Sequence, residues 1–220
     1  MNCCRVPAGL DEIFNDRMAR ADARRYLRRG LPQRARRLLV AIQNTTALHG
    51  ATMLEVGGGA GGLTVELVRA GVARAQLIDA SPAYVGEARR VAGESGVADR
   101  IDIRHGNYAE AGTPVDGAEI VIMDRVVCCF PDWRSLLERA TCQPTRVIGL
   151  TYPRGRTWVS LLVRAVNAGM RLTRRTFRMQ HHSPAALHSY LESTGFRPHV
   201  AGHRGMWEVL VATRIAATRA

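Results

Sequence analysis

The residues best placed by type and spacing to do chemistry are 55–62, Glu-Val-Gly-Gly-Gly-Ala-Gly-Gly. Glycines in such a loop let the backbone turn tightly and let a ligand approach a helix N-terminus without Cβ interference. Glu55 stands two residues before the first glycine and offers a carboxylate at the same spot. Asp79 follows 22 residues after Gly57. Further along come Asn107 in HGNY, Asp124 in VIMDRVV, the pair Cys128-Cys129, Tyr152 and Arg154 in TYPR, and the pair His181-His182.

Two cofactors compete for the glycine loop. Gly57, Gly59 and Gly62 satisfy G-x-G-x-x-G, and Asp79 lies close to dinucleotide spacing, which suits NAD. Three features favour S-adenosylmethionine (SAM). A carboxylate at Glu55 repels a pyrophosphate but suits the ammonium of a methionine moiety. About 50 residues of arginine-rich helix precede the loop's strand. The chain also closes on two strand-like runs joined by the short link Arg204-Gly205.

With these residues in place the chain resembles the class I SAM-dependent methyltransferases. Their first motif, an acidic residue, a spacer and G-x-G-x-G, is matched by Glu55, Gly57, Gly59 and Gly61. The resemblance implies that Asp79 binds both ribose hydroxyls, that Asn107 meets the adenine amine, and that Asp124 lines the methionine end. It covers roughly residues 35–213. The N-P-P-Y type motif of many adenine and glutamine methyltransferases is absent, since the matching place reads Asp124-Arg125-Val126-Val127. No acidic metal-binding set of the catechol type is evident, so no metal is expected.

The elements that must position these residues alternate in type. MLEV (53–56), AQLID (75–79), RIDIRHG (100–106), AEIVIMD (118–124) and RVIGLTY (146–152) read as strands. Helical patterns at 63–71, 81–96 and 131–140 lie between them, and Ser81 and Pro82 suit an N-cap and first turn. This order predicts an α/β, Rossmann-like, mostly parallel seven-stranded sheet flanked by helices. Runs 196–203 and 206–213 supply a C-terminal antiparallel hairpin. Helices over 11–29 and 32–49 form an N-terminal cap, residues 1–50, ahead of a SAM-binding domain at 51–220. A helix over 156–172 opens a lid insertion at about 154–182, and another helix runs from Ser183 to near Gly195.

Substrate contacts are expected from the cap and the lid, with Tyr152, Arg154 and His181 as candidates and His182 as a further possible base. Arg164, Asn167, Arg171, Arg174, Arg175 and Arg178 recur at intervals of three and four, predicting one basic face if the helix persists. Trp158, Leu162, Val166 and Met170 then form the opposite, apolar wall. Arginine's forked donors suit carboxylate or phosphate, so the lid predicts a small, hydrophobic, anionic acceptor. More loosely, the strand-five turn, basic lid and histidine before the last helix resemble magnesium-protoporphyrin O-methyltransferases. That likeness implies O-methylation of a small molecule.

Charge agrees with this division. All 31 basic residues are arginine, against 19 acids, giving +12 overall. Residues 1–50 carry +6, residues 51–150 carry −3 and residues 151–220 carry +9. A near-neutral cofactor domain is therefore flanked by basic ends. A nucleic-acid substrate is a second reading of those ends, disfavoured by only 4 Phe, 3 Trp and 5 Tyr and by the lack of an appended module. A non-catalytic SAM-binding protein is a third, with peripheral membrane contact through the basic lid as a variant. The cysteines Cys3-Cys4, Cys128-Cys129 and Cys142 lack zinc-knuckle spacing and read as free thiols. No apolar run reaches membrane-spanning length and no secretory pattern opens the chain, so a cytoplasmic location is expected.

Overall fold

A computed structural model describes residues 7–110 and 112–216. Cys3-Cys4 lies outside the described residues. Seven strands form one sheet: β1 (Thr52–Val56), β2 (Arg74–Asp79), β3 (Ile101–His105), β4 (Ile120–Asp124), β5 (Val147–Pro153), β6 (Phe196–Arg204) and β7 (Trp207–Arg214). Their order is β3-β2-β1-β4-β5-β7-β6. The first five strands run parallel, and β7 pairs antiparallel with both β5 and β6. The predicted sheet, seven-stranded and mostly parallel with a reversed terminal hairpin, is therefore the one observed.

Eight α-helices accompany these strands among the described residues, a short first one and seven longer: α1 (Leu10–Ile13), α2 (Asp16–Arg29), α3 (Gln33–Thr45), α4 (Gly62–Arg69), α5 (Pro82–Glu94), α6 (Trp133–Thr141), α7 (Thr157–Leu172) and α8 (Pro184–Ser193), with 3-10 turns at Ala98–Arg100 and Val127–Cys129.

The central strands are buried on both faces, which explains why they read as unbroken apolar runs. Side-chain alternation in β4 sends Ile120 and Ile122 to one face and Val121 and Met123 to the other. The first face packs under α2, α3, α4 and α5, with Leu38 and Ile42 of α3 fully buried against the sheet. The second packs under α6 and α8 through Leu136, Leu137, Leu187 and Leu191. The cap thus shares the core of the sheet, and α3 lies so close to β5 that a Cβ at Gly149 would stand 3.0 Å from Ile42.

Two local expectations change. The helix expected over 11–29 is broken at Asn15, whose side chain accepts from the Met18 amide and restarts the helix as α2. The expected basic face of the lid does not form as one surface, because α7 ends at Leu172 and Arg174 takes a left-handed backbone conformation with φ of 56°. The chain then returns without regular secondary structure through residues 175–182. Its buried contacts come from Val159 and Val163 rather than from the stripe of Trp158, Leu162, Val166 and Met170.

Candidate active site

In an open parallel sheet the ligand crevice lies beyond the carboxyl ends of the strands where the order reverses. Here that point is between β1 and β4, and a cavity of about 380 Å³ opens there. Its floor is Glu55, Val56 and the glycine loop, Ile78-Asp79 from β2, Asn107-Tyr108 after β3, and Asp124-Arg125 after β4. Its roof combines Leu10, Phe14 and Met18 from the cap with Val166 and Met170 from α7 and Phe177 and Met179 from the return segment.

Glu55, next to last in β1, is almost completely buried and accepts a hydrogen bond from the Thr64 hydroxyl of α4. Burial, opposed by the Thr64 bonds, pushes its carboxyl up to about 8. Gly57 has φ of 61°, and a Cβ there would meet Val126 Cγ2 at 2.6 Å. The loop is therefore glycine for two reasons: a left-handed turn and close passage under the segment after β4. The Gly59 amide donates to Asp79 Oδ2 at 2.9 Å, and the Ser81 amide donates to Oδ1 at 2.9 Å. Asp79 is pushed up by burial against these two bonds. Each carboxylate oxygen retains a second lone pair, so the residue braces loop and helix without exhausting its acceptor capacity.

Asn107 is buried, with Oδ1 accepting from the Ala109 amide at 3.1 Å and Nδ2 donating to Glu110 Oε1 at 3.1 Å. Asp124 is held by Arg34 of α3, whose Nε and Nη2 donate at 2.8 and 2.6 Å, and by the Thr151 hydroxyl. Burial pushes Asp124 up, but the Arg34 bonds and charge, with Arg125 nearby, outweigh it and leave the carboxyl below its ordinary value. The Arg34 guanidinium also stands 5.7 Å from the centre of the Trp207 ring. Arg125 itself takes a left-handed conformation, φ 62°, with its amide donating to Thr151 Oγ1 at 2.9 Å.

Residues 53–142 match a family described as a methyltransferase domain. Around that match the sheet order and reversed terminal hairpin give the Rossmann-like methyltransferase fold. No curated protein sequence matches it. Among solved structures, the fold is similar to magnesium protoporphyrin IX methyltransferase from Synechocystis PCC 6803 with bound SAH, at TM-score 0.66 and 19% identity, over 83% of this chain and 82% of that one. An O-methyltransferase family protein from Burkholderia thailandensis aligns at TM-score 0.68 and 14% identity, over 92% of this chain and 60% of that one. Human N-acetylserotonin methyltransferase in complex with SAM aligns at 0.64 and 21% identity, over 91% and 56%.

The cavity brings together Glu55, Gly57, Gly59, Asp79, Asn107 and Asp124. Gly61 is not among the lining residues and instead occupies the N-cap of α4 with φ of 78°. The substrate candidates fall elsewhere. Tyr152 is 2% exposed, donates to Glu208 Oε1 at 2.8 Å and meets His188 Nε2 at 2.9 Å, away from the cavity. His181 bridges Ser160 Oγ at 3.2 Å and the Arg154 carbonyl at 2.9 Å. His182 Nε2 lies 3.0 and 2.9 Å from the carbonyls of Val127 and Phe130, and burial pushes its pKa down. The two histidines fasten the return segment to the body, Tyr152 ties β5 to α8 and β7, and none of the three lines the cavity. For the histidines the reason is local: a polar ring in this half-buried segment is consumed by backbone carbonyls.

Residues the sequence did not single out take their place. Arg34, Tyr84, Asp22 and Arg25 line the cavity, with the Tyr84 hydroxyl donating to Asp22 Oδ2 at 2.7 Å. Phe14 packs between Tyr84 and Phe177 at centroid distances of 6.1 and 5.8 Å, joining cap to return segment across the roof. Both Cys128 and Cys129 line the wall, and their thiols lie 3.2 and 3.4 Å from the Arg125 carbonyl. The Cys129 contact and burial push the Cys128 thiol up, which makes it a poor nucleophile.

Proposed function

We propose that the cavity binds SAM through Glu55, Gly57, Gly59, Asp79, Asn107 and Asp124 and methylates a small, hydrophobic, anionic acceptor, with an oxygen as the favoured methyl acceptor. The observation that carries the acceptor class is the composition of the cavity. Apolar side chains from Leu10, Phe14, Met18, Val166, Met170 and Phe177 enclose it, while Arg25, Arg34 and Arg125 stand at its edge.

The residues present fit the cofactor. Glu55 is a buried carboxylate without a cationic side chain among its hydrogen-bond partners, so an incoming ammonium would satisfy it. Asp79 sits at the end of the adjacent strand with acceptor capacity remaining for vicinal hydroxyls. The glycine loop leaves backbone rather than side chain against the ligand. When bound, SAM supplies a methyl group already activated on a sulfonium.

The protein's own task is then positioning and water exclusion, which suffices for much of the rate of a transfer between a bound donor and a bound acceptor. Tyr84 and Phe177 contribute the apolar roof, and Arg125 offers a forked donor set for an acceptor carboxylate. No histidine lines the cavity, so an acceptor that is already anionic at neutral pH fits it better than one needing a strong base.

The test uses methyl-labelled SAM with a panel of apolar carboxylates, phenols, amines and short RNAs. Label in an apolar carboxylate or phenol supports the reading. Label only in RNA or amines overturns it, and calorimetric binding of NADH in place of SAM overturns the cofactor assignment.

A further inference from the structure

Helix α7 carries two apolar stripes, and the fold uses one of them. Val159 and Val163 point into the body, while Val166 and Met170 line the cavity. A second stripe, Trp158, Leu161, Ala165, Ala168 and Leu172, recurs at intervals of three and four and faces outward. Trp158 is 49% exposed, Leu161 58% and Leu172 86%, with Leu162 a further 40% exposed beside them. Large apolar side chains gathered on one exposed face mark an interaction surface rather than ordinary surface scatter.

The charge around this stripe selects the partner. Residues 154–191, which hold α7 and the segments flanking it, contain seven arginines and no aspartate or glutamate. Arg164 and Arg171 lie seven residues apart on one flank of α7, and Arg156 and Arg174 stand at its two ends. All four are exposed, and none has an ion pair to another described residue.

We propose that the outer face of α7 docks on an anionic lipid bilayer, with Trp158, Leu161 and Leu172 entering the headgroup boundary and the flanking arginines on lipid phosphates. An apolar stripe bordered by arginines, with a tryptophan at one end, is the arrangement an interfacial helix requires. A second copy is a poor occupant, since it would bring an equally arginine-rich face against the first. The opposite side of the same helix roofs the cavity, so docking places the bilayer beside the roof. This surface is independent of which molecule is methylated.

Vesicle flotation of the full chain tests it. Wild-type protein should float with phosphatidylcholine–phosphatidylglycerol vesicles, remain behind with pure phosphatidylcholine, and release as salt is raised. Trp158→Ser combined with Leu161→Ser should weaken partitioning on the order of tenfold or more. Arg164→Gln with Arg171→Gln should weaken it on the order of tenfold through charge alone. Val40→Ser, which changes an equally exposed side chain on α3, should leave it unchanged. The proposal fails if wild-type protein ignores anionic vesicles at low salt or binds neutral ones equally well. It also fails if both double variants float like the wild type, or if sedimentation velocity shows a dimer that Trp158→Ser/Leu161→Ser dissolves.

Discussion

Arg34 of α3 grips Asp124 at the end of β4 with two parallel N–H···O bonds of 2.8 and 2.6 Å, joining residues 90 apart in sequence. Both side chains are only 11% exposed. The pair anchors the cap directly over the carboxyl end of the central strand, where the resemblance to SAM-dependent methyltransferases places the methionine end of the cofactor.

Removing one partner of a nearly buried ion pair leaves an uncompensated charge. Arg34→Met should therefore destabilise the fold by about 3–5 kcal/mol. Arg34→Lys should retain only part of the loss, because a single ammonium cannot reproduce the fork. Adding Asp124→Asn to Arg34→Met should recover stability relative to Arg34→Met alone. Urea unfolding of the four proteins checks the order.

Asp79 should reveal two separable roles. Asp79→Ala strips the acceptor from the Gly59 and Ser81 amides, at a cost of about 1–3 kcal/mol per unsatisfied group. It should also weaken SAM binding by roughly 10- to 100-fold, or about 1.4–2.8 kcal/mol. Asp79→Asn keeps one carbonyl acceptor and should separate these effects, sparing stability more than affinity. Calorimetry on the folded fraction reads the affinity, and an unchanged value for Asp79→Ala would remove the ribose role.

The alternation of elements was legible because the strands between Thr52 and Pro153 carry apolar runs, or in β3 a strict alternation, and the helices among them their own period. Glu55, Asp79 and Asp124 were legible for a related reason: parallel strands deliver their last residues to one edge, so chain position alone brings them together. Arg34 was not, since nothing local distinguishes it from Arg36 or Arg37, and only the fold pairs it with Asp124. The orientation of α7 was only partly legible because its apolar arc is wide enough to admit the stripe of Trp158, Leu162, Val166 and Met170 as well as the one with Val159 and Val163 that the fold buries. His181 and His182 were misplaced because their spacing could not show the carbonyls of Arg154, Val127 and Phe130 waiting nearby.

The roof is fastened by an exposed latch. Glu12 after the start of α1 accepts from the Thr176 amide at 3.0 Å and the Thr176 hydroxyl at 2.7 Å. Those bonds hold its carboxyl below the ordinary value, so the latch is present above the usual carboxylate range and is lost as pH falls through the depressed pKa. Glu12→Ala should leave the unfolding midpoint near that of the wild type while speeding cofactor release severalfold and exposing residues 173–180 to protease. Stopped-flow dissociation and limited proteolysis measure the two effects.

Glu55 provides the sharpest pH signature. Burial, its largest influence, raises the carboxyl to about 8, so at neutral pH the ligand-free protein holds it mostly protonated. A cation bound beside it favours the charged form and lowers that value. Binding a cationic methionine moiety must then expel a proton below about pH 8, and the sign of the linkage follows. SAM affinity should rise as pH increases from about 6, by at most about tenfold per unit, and level off near 8. Calorimetry in buffers of differing ionisation enthalpy should register the released proton directly. Glu55→Gln cannot release one, so its affinity should be lower and flat over the same range. A wild-type profile equally flat would show that Glu55 does not meet the cation.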